Sequence, residues 1–123
     1  MNVAVLGAGN RGRDLAQAAA SAGHTVRLHD AEANVVMDAI DDVERRLRDA
    51  VDAGELTQTE RQETLDRVDA TTGLDAAVAE ADLVVETSDA DAETLQARFA
   101  ELEEHVDRAA VICTTAGDLS ITA

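Results

Sequence analysis

Four apolar residues, Val3-Ala4-Val5-Leu6, run directly into Gly7-Ala8-Gly9-Asn10-Arg11-Gly12, and Arg13-Asp14-Leu15-Ala16-Gln17-Ala18-Ala19-Ala20 continues with helix-forming residues. Strand, tight turn and helix in that order, with glycines spaced Gly-x-Gly-x-x-Gly, is the local plan of a dinucleotide-binding unit. Each glycine has its own task. Gly7 lets the chain turn off the strand, Gly9 lets backbone amides approach a pyrophosphate, and Gly12 lets the helix pack closely on the sheet. The helix then presents its N-terminal amides, and about half a positive charge of macrodipole, to the phosphates.

The glycine pattern by itself is common, and an ordinary α/β turn is the plain alternative. What sharpens it is the second strand pattern, Thr25-Val26-Arg27-Leu28-His29, which ends in Asp30. An acidic residue about 20 positions beyond the glycines is the expected acceptor for the adenosine ribose hydroxyls, and its charge repels a 2′-phosphate. The expected cofactor is therefore NAD rather than NADP.

Further along, Val36, Ile40, Val43, Leu47 and Val51 recur at helical spacing from about Ala33 to Ala53, with Asp and Arg assigned to the outer face and Gly54 as C-cap. Thr57 and Glu60 have capping-box spacing at the start of a second helix, to which Leu65 and Val68 give apolar contacts. A short strand over Val68–Thr72 and a helix through Leu74–Val78 come next. Ala81–Thr87 reads as the fourth strand and Ala109–Cys113 as the fifth. Between them lies a helix from about Asp91 to His105, carrying Leu95, Phe99, Leu102 and Val106 on its inner stripe. After the Thr114–Asp118 loop, Leu119–Ala123 looks like the start of another helix, so the chain stops in mid-element. Alternating strands and helices predict an α/β, Rossmann-type doubly wound parallel sheet, with a helical pair inserted between strands two and three. In such sheets ligands bind outside the carboxyl ends of the strands, which brings Glu86, Thr87 and Thr114 to the cofactor cleft; strand-end capping is the other reading of these three.

The charge balance is unusual: 26 acidic residues against 10 basic, all of them Arg, for a net charge of −16 on 123 residues. Repulsion on that scale is relieved when salt at about 1 M shortens the Debye length to about 3 Å. The expectation is a halophilic protein with an acidic surface adapted to a concentrated-salt cytoplasm. Disorder is excluded by the 46% hydrophobic content and its periodicity. Without a basic patch or aromatic platform, nucleic acid is not an expected partner. No apolar run is long enough for a membrane span and no signal peptide is visible. Cys113 is the single cysteine, which fits a reducing compartment, and His24, His29 and His105 lack metal-ligand spacing.

The whole chain, residues 1–123, resembles the N-terminal NAD-binding domain of 3-hydroxyacyl-CoA dehydrogenase. The likeness rests on Gly7-Ala8-Gly9-Asn10-Arg11-Gly12-Arg13 with Leu15-Ala16-Gln17, the helical pair ending in Gly54-Glu55-Leu56-Thr57, and Thr71-Thr72 with Leu74. Ala81-Asp82-Leu83-Val84-Val85-Glu86 and the closing Leu119-Ser120-Ile121-Thr122-Ala123 complete it. The resemblance implies NAD-dependent oxidation of a 3-hydroxyacyl-CoA to the 3-ketoacyl-CoA in fatty acid metabolism. The family's catalytic His–Glu pair and its C-terminal catalytic and dimerisation domain are not in this chain, which by itself is expected to be inactive. Acyl-CoA becomes a partner only if a second domain is supplied.

Thr114 keeps a hydroxyl that could face the substrate, while Thr115 stands where the family has Asn. Ala90 and Leu95 replace the family's Glu and Lys. Arg11 replaces the usual Met, and pairing with a phosphate, crowding the nicotinamide side and plain surface charge all remain open for it. Asp14, placed in the first helical turn, is given no role. The alternative function is a stand-alone, non-catalytic NAD-binding or sensing module; an acidic partner-binding protein would make the glycine pattern a coincidence.

Overall fold

The computed structural model describes residues 1–87 and, as strand backbone, 111–114. Strand β1 (Asn2–Leu6) explains the opening apolar run: it is covered on both faces, so successive side chains enter different layers. Val3 and Val5 pack with Ala16 and Ala20 of α1 (Asn10–Ser21), Val26 and Leu28 of β2 (Thr25–His29), and Ala39 of α2 (Ala33–Asp52). Ala4 and Leu6 pack in the opposite layer with Ala77 and Val78 of α4 (Leu74–Val78) and Val84 of β4 (Leu83–Glu86).

The remaining described elements are α3 (Gln58–Asp66), β3 (Val68–Thr71) and β5 (Val111–Thr114). All strand pairs are parallel and the sheet order is β3-β2-β1-β4-β5. This is the doubly wound α/β fold, and the order reverses between β1 and β4. Both α2 and α3 lie between β2 and β3. Thr57 caps α3 as its spacing predicts: Thr57 Oγ1 accepts the Glu60 N–H at 3.1 Å and Glu60 Oε1 accepts the Thr57 N–H at 3.0 Å.

Three local expectations are corrected. Asp42 does not lie on the outer face of α2 but is buried beside Val43, because ion pairs to arginines replace its water. In α3 the buried residue is Thr64, whose hydroxyl donates to the Glu60 carbonyl, whereas Leu65 is half-buried and Val68 belongs to β3. Since α1 begins at Asn10, its first turn holds no acidic residue, and Asp14 lies beyond it. The expected helix over residues 91–105, with His105, and the expected helix start at 119–123 fall outside the described residues. Among the described residues no helix is long and apolar enough to cross a membrane, and no group of His, Cys, Asp and Glu could hold a metal ion.

Candidate dinucleotide site

The site grows from the end of β1. Gly7 takes φ +102°, a conformation that L side chains rarely adopt, and its N–H donates to the His29 carbonyl at 2.7 Å. That bond brings the ends of β1 and β2 together and sets Asp30 beside the turn. Asp30 Oδ2 accepts the Ala8 N–H at 3.1 Å, and Oδ1 accepts the Glu32 N–H at 3.1 Å. A carboxylate offers about four lone-pair sites. With one backbone bond on each oxygen, both oxygens retain capacity for a pair of hydroxyl donors.

The glycines differ in what surrounds them. A Cβ on Gly9 would meet nothing within 4 Å, so the backbone at the mouth of the turn is open on that side. A Cβ on Gly12 would lie 1.8 Å from the Gly7 carbonyl oxygen. Gly12 is therefore required by the elbow backbone itself, a closer constraint than helix-to-sheet packing. Gly9 is the N-cap of α1 with no side-chain cap, and Asn10 and Arg11 are exposed in the first turn.

Thr87, directly after β4, is nearly buried, and its Oγ1 lies 2.9 Å from the Leu6 carbonyl oxygen and 3.0 Å from that of Gly7. Its backbone N–H donates to Leu6 at 2.8 Å. The hydroxyl is thus used to hold the elbow. Thr87 also lines, with Arg11, Asp14 and Leu15, a cleft of about 350 Å³ at the point where the strand order reverses. Glu86 is fully buried at the end of β4, in register with Leu6 on one side and with Thr114 at the end of β5 on the other. The Thr114 side chain, like Thr115, Ala90 and Leu95, is outside the described residues.

Sequence reasoning missed a set of charged residues beneath the elbow. Arg13 Nε donates to the Ala8 carbonyl at 2.9 Å, and Arg13 Nη1 lies 3.4 Å from Asp42 Oδ2. Arg46 Nη2 is 3.0 Å from the same oxygen and pairs through Nη1 with Asp14, while Arg45 pairs with Asp42 Oδ1. The one signal in sequence was an aspartate adjoining the apolar stripe of α2. The side chains of two histidines bond elsewhere in the chain, His24 Nδ1 with the N-terminal amine at 3.2 Å and His29 Nε2 with the Thr72 carbonyl at 3.2 Å.

Comparison with known proteins agrees with this geometry. Residues 2–123 match the family model described as 3-hydroxyacyl-CoA dehydrogenase, NAD binding domain. The 3-hydroxyadipyl-CoA dehydrogenase of Escherichia coli K12 is 39% identical over 121 residues, covering 98% of this chain and 25% of that protein. The crystal structure of 3-hydroxybutyryl-CoA dehydrogenase from E. coli K12 superposes with a TM-score of 0.93 at 37% identity, covering 98% of this chain and 25% of the other. M. tuberculosis FadB2 gives 0.88 at 30%, covering 93% and 40%. The chain spans about a quarter of the length of the curated relative it matches. With the elbow, the neighbouring carboxylate and a match from residue 2 to residue 123, the chain belongs to the NAD-binding domain family of the 3-hydroxyacyl-CoA dehydrogenases.

Proposed function

We propose that this chain carries NAD for the oxidation of a 3-hydroxyacyl-CoA to the 3-ketoacyl-CoA, as residues 1–123 of a two-domain enzyme or beside a separately supplied catalytic domain. The observation that supports it best is the Asp30 carboxylate bonded to the Ala8 N–H beside the open face of Gly9. Gly7, Ala8, Gly9, Asn10, Arg11 and Gly12 form the diphosphate cradle, Asp30 takes the adenosine ribose, and Glu86, Thr87 and Thr114 border the nicotinamide side. NAD, when bound, supplies the hydride acceptor. This chain's residues orient it: the elbow amides and the start of α1 face the diphosphate, and Asp30 anchors the sugar. Acyl-CoA recognition and proton removal fall to a catalytic domain.

Calorimetric titration in about 1 M KCl tests the reading. NAD should bind, and NADP should bind more weakly because its 2′-phosphate meets the Asp30 charge. An absence of heat with NAD, or a preference for NADP, would overturn it. Hydride transfer from NADH to acetoacetyl-CoA should be absent for the chain alone; turnover would place a catalytic group inside it. The acidic composition supports a halophilic setting, and the single cysteine supports the cytoplasm.

A further inference from the structure

Two peptide planes make up the elbow, and three side chains hold them. In the Gly7–Ala8 plane, the carbonyl bonds Thr87 Oγ1 and the N–H bonds Asp30 Oδ2. In the Ala8–Gly9 plane, the carbonyl accepts from Arg13 Nε at 2.9 Å. A trans peptide points its C=O and N–H in opposite directions, so fixing the Ala8 carbonyl fixes the direction of the Gly9 N–H. The Arg13 side chain is only 19% exposed and that of Asp42 only 9%, so neither is free to wander. A guanidinium is suited to this double task because its planar fork donates along more than one edge: Nε to the carbonyl, Nη1 to the carboxylate.

We propose that Arg13, held by Asp42 of α2, is a positioning residue that aims the Gly9 amide at the diphosphate of the bound dinucleotide. The proposal rests on the dinucleotide reading and adds to it a link through which α2 sets the geometry of the phosphate cradle. Asp30 orients the preceding peptide and grips the sugar; Arg13 orients the peptide that meets the phosphates. Loss of Arg13 should therefore weaken ligands that carry a diphosphate and spare ligands that end at the sugar.

Two substitutions of equal length isolate the bond. In Arg13→Gln the amide nitrogen stands where Nε stands and can still donate to Ala8, whereas Arg13→Met places a methyl group there. Both residues are good helix formers, and melting curves check that each variant folds. Dissociation constants for NAD and ADP-ribose are measured by calorimetry and for adenosine by saturation-transfer NMR, all on the full chain in about 1 M KCl. Arg13→Met should weaken NAD and ADP-ribose about tenfold and leave adenosine unchanged, and Arg13→Gln, which donates to Ala8 but loses the Asp42 pair, should recover part of that loss. NAD bound by Arg13→Met as tightly as by the unaltered chain overturns the proposal. So does an equal loss in the two variants, or a loss for adenosine as large as that for ADP-ribose. An unaltered chain that fails to bind NAD refutes the dinucleotide reading itself, a separate outcome.

Discussion

Gly9 and Gly12 stand three residues apart in one motif, yet the structure assigns them different physics. Gly9 has φ −78° and ψ −167°, an extended conformation any residue adopts, and open space where a side chain would go. Gly9→Ala should therefore leave stability within about 0.5 kcal/mol, while weakening NAD because the new methyl group occupies the approach to the phosphates. Denaturant unfolding and calorimetry on one sample would show the split. Gly12→Ala should behave in the opposite order. Its Cβ would lie 1.8 Å from the Gly7 oxygen, a backbone atom that cannot swing aside, so a loss of about 2–3 kcal/mol is expected before any ligand is added. Thr87→Val keeps the shape and removes the hydroxyl bonded to Leu6 and Gly7. A loss of about 1–2 kcal/mol in the same unfolding assay would confirm that Thr87 holds the elbow.

At the level of elements, α1 and α2 are joined by charge as well as by apolar packing. Asp42 is buried among Arg13, Arg45 and Arg46, and Arg46 reaches on to Asp14 of α1. Removing that carboxylate leaves guanidinium groups facing one another, so Asp42→Ala should cost about 2–3 kcal/mol, less than for a fully buried pair because Arg45 and Arg46 are partly solvated. Thermal melts would measure it. Such a link was not legible in sequence, since Arg13 and Asp42 are 29 residues apart and only the crossing of two helices brings them together. The capping box of α3 was legible, because Thr57 and Glu60 meet within one helical turn. The β1 run was legible because a strand covered on both faces is apolar throughout, and β2 because Val26 and Leu28 alternate with the polar Thr25, Arg27 and His29, burying one side of the strand.

For the whole molecule the dominant number is the net charge of −16. Arginine ion pairs relieve some of that repulsion locally, but 26 acidic residues against 10 arginines leave most of it unpaired. Melting temperature should rise with KCl as screening shortens the range of the repulsion, and a flat curve from about 0.1 to 2 M would remove salt adaptation from the account.

Sequence alone determined the parallel α/β architecture, the elbow at Gly7–Gly12 and the acidic residue at the end of β2, because each is written in spacing along a few consecutive residues. Tertiary structure decided that the Thr87 hydroxyl serves the elbow, that Gly12 yields to the Gly7 carbonyl, and that Asp42 is buried to hold Arg13 against Ala8. Those outcomes depend on which strands lie side by side and which helices cross. Contacts between residues far apart in the chain exist only once the sheet has brought their elements together.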